Sequence, residues 1–369
     1  MKTRDAVIEY QKTLDDAGTL IKDLDLVDPV SALYLEFEAT NGTTSNKGNF
    51  ISDVITKIEI TDGSEVLYSL SLAQLEALYF YKTRKTPVLF PSEWASGKQR
   101  HGVYLLFGRY LWDPTYGMDF RRYTNPQLKI TSNLAATRAV AADTAFATGT
   151  LKGTIVAKVM EDVPSMPSYL QAKEIEAFTS AASGEKRIDL PVDYTYRMLM
   201  LRAYKSESDV REIITDLKLT LDTDKYVMFN RKVQQLDAEA LAEFGVCRFK
   251  HDIFCSHQDT VRLLCNMEPD VRPFYQSSST PSVVGIDWQW SSAMKLNIYD
   301  AATPSADTTD RKYTMVEEGH ALHATLPIPF GILDVPATWF DPRAYKKMEL
   351  VATQDVASGV CSIVAEQVR

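Results

Sequence analysis

Cysteine is scarce in this chain: four residues among 369, three of them crowded at Cys247, Cys255 and Cys265. Disulfide frameworks belong to small secreted domains with a dense set of cysteines. One is excluded here, and reduced thiols and assembly in a cytoplasm are expected. Long apolar runs are missing as well. No stretch of 18 or more apolar residues occurs, which leaves no candidate transmembrane helix, and "MKTRDAVIEYQ" lacks the pattern of a signal peptide. Positive charge is in deficit, with 40 lysines and arginines against 49 aspartates and glutamates, a net −9. A surface that wraps nucleic acid needs the opposite excess, so no direct nucleic-acid binding is expected. No G-x-S-x-G elbow, Walker loop or G-x-G-x-x-G is present. Acyl transfer and nucleotide chemistry lack their usual handles, and the chain is not expected to be an enzyme.

What is present is a repeat. "ISDVITKIEITDGSEVLYSLSLAQLEAL" (Ile51 to Leu78) and "VREIITDLKLTLDTDKYVMFNRKVQQLDAEAL" (Val210 to Leu241) carry the same pattern. Val54, Thr56, Ile58 and Ile60 fall on one side of an extended chain, with Lys57 and Glu59 on the other, the period-2 signature of a half-buried strand. Ile213, Thr215, Leu217 and Leu219 match them one for one at an offset of 159 (213 minus 54), which makes Ile58 and Leu217 equivalent core positions. Turn signals follow at Thr61-Asp62-Gly63 and Asp222-Thr223-Asp224, then a return strand and a helix. The helices show Leu72, Leu75 and Leu78 in the first copy and Val233, Leu236, Ala240 and Phe244 in the second. Ser71 with Gln74 has the S-x-x-Q form of a capping box. Later landmarks keep the same order: Phe107-Gly108 against Phe330-Gly331 (offset 223), Leu128 against Met348 (220) and Ile155 against Ile363 (208).

The offsets locate the insertions. Between the helix (offset 161, 236 minus 75) and the Phe-Gly pair the second copy gains 62 residues (223 minus 161), so roughly Gly245 to Thr325 is an enlarged segment. It holds apolar strands, "TVRLLCNM" and "VVGIDWQW", which need a partner surface. Its polar stretches near Ser277 to Ser279 and Pro304 to Thr309 are expected at exposed tips. The first copy has the longer late loop, "NLAATRAVAADTAFATG". The expected organisation is an all-β protein of two tandem jelly-roll β-sandwiches with short helices and a large loop insertion in the second. Residues 1–18 form an N-terminal arm or helix, 19–162 the first jelly roll, 163–168 ("VPSMPS") a stiff linker and 169–369 the second jelly roll with its insertion at about 245–325. Within the arm, Val7, Tyr10 and Leu14 share one helical face suited to docking against a neighbour, with Lys2 and Arg4 able to meet anionic lipid headgroups.

Three clusters invite a chemical reading. In "GHALHATL", His320 and His323 are the nearest approach to a cupin metal site, but they lie three apart, point to opposite faces of a strand and have no following Glu in reach; they read as exposed loop histidines. "CRFKHDIFCSH" offers Cys247, His251, Cys255 and His257. On a strand each four-residue step spans about 13 Å, too far for one zinc ion at ligand distances of roughly 2.0 to 2.3 Å. Buried thiols in a strand are the expectation. Trp288 and Trp290 share one strand face, as a sugar-binding ledge or as core or subunit interface, the commoner fate of such aromatics. No catalytic, cofactor-binding or metal residue is therefore expected, and no cofactor.

The tandem arrangement, "DVITKIEITDGSEVLYSLS" with the helix after it, and "LLFGRYLWDPTYGMDFRRYTNPQLKIT" together resemble the double jelly-roll major capsid proteins of tailless icosahedral viruses, many with an internal membrane. The resemblance covers nearly the whole chain in architecture and about Ile51 to Thr131 in local wording. It implies a structural protein of a bacteriophage or archaeal virus, assembled in the host cytoplasm into the virion shell. Homotrimers would set six upright jelly rolls into a pseudo-hexagonal tile. Their partners would be neighbouring capsomers, vertex (penton) or minor capsid proteins and an inner membrane beneath the N-terminal arm, with the insertion as an outward tower. The alternative is a soluble β-sandwich protein, carbohydrate-binding or bicupin-like.

Overall fold

The computed structural model describes residues 2–43, 46, 49–135, 146–255, 260–264, 268–269, 282–290, 293–300 and 311–369. Along the first half run β1 (Lys2–Thr13), β2 (Ala17–Asp23), β3 (Val30–Thr40), α1 (Ile51–Val54), β4 (Ile55–Asp62), β5 (Glu65–Leu70), α2 (Leu72–Thr83), β6 (Val88–Phe90), β7 (Lys98–Leu106), β8 (Pro126–Asn133) and β9 (Lys152–Glu161). The second half begins with β10 (Leu170–Thr179), β11 (Gly184–Leu190), β12 (Tyr196–Tyr204), α3 (Val210–Ile213), β13 (Ile214–Leu221), β14 (Tyr226–Lys232) and α4 (Val233–Phe244). Six inserted strands follow: β15 (Cys247–Cys255), β16 (Thr260–Leu264), β17 (Glu268–Pro269), β18 (Ser282–Trp290), β19 (Ala293–Asp300) and β20 (Arg311–His320). The second half then closes with β21 (Thr325–Pro329), β22 (Met348–Gln354) and β23 (Val360–Val368).

Strand order shows the duplication directly. The first half pairs β1-β9-β3-β7-β6 in one sheet and β2-β8-β4-β5 in the other; the second half pairs β10-β23-β12-β21 and β11-β22-β13-β14. Replacing each first-half strand other than β6, which has no counterpart in that sheet, by its equivalent reproduces the second order. A parallel bridge between Ser69 on β5 and Lys173 on β10 joins one sheet of each sandwich into an eight-stranded sheet. Even the irregularities repeat. Single-residue bulges fall at Ile8 and Ile175, at Ser31 and Arg197, at Thr56 and Thr215, and at Leu67 and Met228. Bulges re-aim a strand and increase its twist, so a shared set implies a shared curvature of the two sandwiches.

Each sandwich has its own core, built from the alternating apolar residues. Ile58 and Ile60 pack with Leu35, Phe37 and Phe107, and Leu217 and Leu219 pack with Leu199, Leu201 and Leu350. Ile58 and Leu217 are both fully buried, as their matching register requires. The inserted strands lie between α4 and β21 in two three-stranded sheets, β15-β20-β17 and β16-β19-β18. Residues Ser277 to Ser279 and Pro304 to Thr309, expected at exposed tips, lie outside the described residues.

Two expectations are corrected. Residues 1–18 do not form a helical arm. Lys2–Thr13 is a strand, antiparallel to β9 at the edge of the first sandwich. The apparent helical face is split: Leu14 is buried, while Val7 and Tyr10 are 62% and 73% exposed. An edge strand with one open face shows weak period-2 alternation, and its counterpart β10 is the better guide, since Ile8-Glu9 and Ile175-Glu176 occupy the same bulge. The second correction concerns register. Leu128 pairs with Ile60 and Leu350 with Leu219, so the offset at β8 and β22 is 222 (350 minus 128), not 220. A two-residue slip leaves the same side chains facing the core, so periodicity alone cannot detect it. Turns before these strands share the 222 offset: Arg121 forks onto Asp119 as Arg343 forks onto Asp341.

Candidate functional site

The residues singled out for chemistry are dispersed. His320 ends β20 with Nε2 3.0 Å from Asp237 Oδ1 on α4. His323, expected on an exposed loop, is instead fully buried in a left-handed turn, with Nε2 2.5 Å from Glu76 Oε2. The other Glu76 oxygen lies 2.9 Å from His101 Nδ1 on β7, so one carboxylate of α2 holds two imidazoles from opposite halves of the chain. Burial alone would raise the Glu76 carboxyl, but the two histidines outweigh it and hold it at about 2. His320 and His323 thus point to different carboxylates, which removes the convergence a cupin site needs.

Cys247 is buried in β15 with its thiol pushed up to about 12 by desolvation, the inert state expected of a core cysteine. His251 on the same strand is buried between Glu317 Oε2 on β20, 3.4 Å from Nδ1, and Glu93 Oε1 of the first sandwich, 4.0 Å from Nε2. Desolvation pushes its pKa down, and the facing carboxylates, chiefly Glu317, reverse that to a net rise. His257, and the side chains of Cys255, Trp288 and Trp290, lie outside the described residues. Among the described residues, no group of three or more His, Cys, Asp or Glu is disposed to hold a metal ion.

What these residues build is a junction. The insertion is latched to the first sandwich: Glu93 N donates to Asp252 O (2.7 Å), Asp252 N to Pro91 O (3.1 Å) and Trp94 Nε1 to Ile253 O (3.0 Å). The larger seam runs along α2. Ser71 caps this helix as its S-x-x-Q spacing predicts, accepting from Gln74 N while Ser71 N donates to Gln74 Oε1. Leu72, Leu75 and Leu78 join the first core. The opposite side of α2 lies on the outer face of the second sandwich. Gln74 Nε2 donates to Glu174 Oε2 (2.5 Å) and Ser362 Oγ (2.8 Å), and Tyr81 Oη donates to Thr325 O (2.6 Å). Lys82 Nζ meets Glu366 Oε1 at 2.6 Å, and Arg197 Nη1 meets Glu366 Oε2 at 2.5 Å, all three side chains almost fully buried. Lys82 also donates to Leu106 O and Arg197 to Leu333 O. Desolvation pulls Lys82 down to about 8, with Glu366 opposing it. The cap and the leucine face follow from the sequence, but the Lys82–Glu366–Arg197 cluster does not, because charged side chains ordinarily stay at the surface unless another part of the chain pairs and covers them.

These residues form a fixed junction between the two sandwiches and separate histidine–carboxylate pairs. No protein-family model matches the chain, and no curated protein matches it. Solved structures do. The STIV major capsid protein superposes with a TM-score of 0.62 at 12% identity, covering 99% of this chain and 96% of its own. The major capsid protein of bacteriophage PM2 gives 0.53 at 10% identity over 100% and 97%, and the PBCV-1 virus capsid gives 0.54 at 10% over 100% and 93%. The fold is the double jelly roll of these viral capsid proteins. Both sandwiches, the linker and the insertion fall inside that likeness, since it spans essentially the full chain.

Proposed function

We propose that the chain is a major capsid protein that self-associates as a homotrimer, two sandwiches per chain setting six into a pseudo-hexagonal tile of an icosahedral virion shell. The likeness to three capsid proteins over essentially the whole of each chain carries this reading. The rigid seam supports it: with α2 locked onto the second sandwich by buried ion pairs, the two jelly rolls behave as one block. Neighbouring capsomers, with vertex and minor capsid proteins, are the partners such a tile requires, and the insertion at 245–325 is the outward tower. Lys2 and Arg4, suited to lipid headgroups in a helix, are engaged with Asp162 and Glu161 at the sheet edge, so we do not extend the reading to a membrane. The protein acts through self-association, not catalysis. The bicupin alternative loses its support with the divergence of His320 and His323. Sedimentation of the purified chain tests the proposal: a particle of three times 41.5 kDa is expected, and a monodisperse monomer at working concentrations overturns it.

A further inference from the structure

Because the two sandwiches share one strand order and matching pairing registers, a contact made inside the chain predicts which surfaces are left without one. Inside the chain, α2 of the first copy covers the outer face of β10-β23-β12-β21, burying Met200, Val364 and Glu366 beneath it. The same face of the first copy, β1-β9-β3-β7, carries Val7 where the second carries Glu174, Tyr34 for Met200, Val156 for Val364 and Lys158 for Glu366, by the observed pairing registers. There Val7 is largely exposed and Tyr34, Val156 and Lys158 only half-buried. The helix equivalent to α2 is α4, at an offset of 161 (233 minus 72). Its counterparts of Gln74, Phe80, Tyr81 and Lys82 are Gln235, Leu241, Ala242 and Glu243, all exposed where the originals are buried. One copy's helix and the other copy's sheet face are uncovered, and each is the counterpart of a surface that is covered.

We infer that these two surfaces cover each other between chains, with Glu243 of one subunit meeting Lys158 of the next. The pair would repeat the buried Lys82–Glu366 contact with its charges exchanged. This deepens the trimeric reading and rests on it. The exchange of sign is the decisive observation: Lys82 opposite Glu366 becomes Glu243 opposite Lys158, so both partners change charge and the attraction is kept. The surroundings agree. The exposed side of α4 adds Glu239, held by Arg231, and the sheet face adds Arg100 and Lys152. The face also carries acids, which are already engaged: Glu36 with Tyr34, Glu38 with Lys98, and Asp5 with Lys158 itself at 2.7 Å. Glu243 is 3.8 Å from Arg84. Beside the helix, β14 would lie along β1 as β5 lies along β10, with Asn230 opposite Ala6 as Ser69 is opposite Lys173. The contact joins unlike surfaces, so it is heterologous and must close into a ring or propagate.

The test uses the full chain. Glu243→Lys and Lys158→Glu are each expected to raise the concentration at which the trimer dissociates by at least tenfold, and the double exchange to return it to within about threefold of the parent, as complementary charges demand. Independently, Glu243→Cys combined with Lys158→Cys should give, with a thiol-reactive bismaleimide long enough to replace the two side chains, a covalent trimer on denaturing gels that neither single cysteine variant gives. A trimeric parent whose charge variants dissociate normally and whose cysteine pair gives no interchain crosslink overturns this pairing while leaving the trimer standing. A monomeric parent overturns both.

Discussion

The buried Lys82–Glu366–Arg197 cluster permits a prediction with an unusual asymmetry. Two cations share one carboxylate, all three within 1% of full burial, and Asp334, 3.9 Å from Arg197, is largely in solvent. Glu366→Gln keeps the shape and removes the counter-charge that both cations share, leaving them facing each other across the seam. Breaking a buried pair in this way costs about 3–5 kcal/mol. Lys82 can relieve part of that by releasing its proton, since it already titrates near 8 and a one-unit displacement costs about 1.4 kcal/mol; Arg197 cannot. We therefore expect Glu366→Gln to lose about 4 kcal/mol at pH 7. Lys82→Met, by contrast, leaves a balanced one-to-one pair and removes a desolvated cation, so its loss should stay near or below about 1.5 kcal/mol. Urea titrations of the parent and both variants, followed by tryptophan fluorescence and circular dichroism, measure the difference. Equal losses for the two variants, or a loss under about 1 kcal/mol for Glu366→Gln, would refute the reasoning by showing the seam to be wetter or looser than described.

Other predictions probe the cores, the imidazole-bridging carboxylate and the edge strand. Ile58→Asp and Leu217→Asp should each cost several kcal/mol by burying an unpaired charge, and losses below about 0.5 kcal/mol in urea titrations of both variants would refute their core assignment. Glu76 titrates near 2 in the fold against 4.5 when free, so the unfolded chain takes up its proton first. Its stabilisation is complete above pH 4.5 and is lost as the pH falls toward 2, by roughly 3 kcal/mol. Glu76→Gln should be less stable at pH 7 and lack that acid limb in thermal melts, whereas an unchanged acid limb would contradict the assignment. Deleting residues 2–13 strips β9 of a partner and should abolish soluble, cooperatively folding protein; a folded, soluble truncation in circular dichroism and size-exclusion runs would mean β1 is dispensable.

The duplication was legible because burial enforces it. Ile58 with Ile60 and Leu217 with Leu219 present every second residue to a core, and turn residues punctuate both copies. Val54 and Ile213, by contrast, end short helices, and Thr56 and Thr215, expected on the core side, are bulged out of it. What was not legible follows from the same physics. A slip of two residues at β8 and β22 is silent to a period of two. β1 was missed because Val7 and Tyr10 lie on an open face, where nothing within the chain selects for alternation. The seam was hidden because Lys82, Arg197 and Glu366 are polar residues buried by another part of the chain, and Glu76 meets His323 across 247 positions. Local pattern reports whether a residue faces its own core, not whether a second sandwich covers its other side.

Imaging bears most directly on the claim that this chain is a shell-forming block. Negative-stain electron microscopy of the purified full-length protein should show particles with a pseudo-hexagonal outline, six lobes contributed by three chains. Compact particles the size of a single chain, persisting as the concentration is raised, would contradict it.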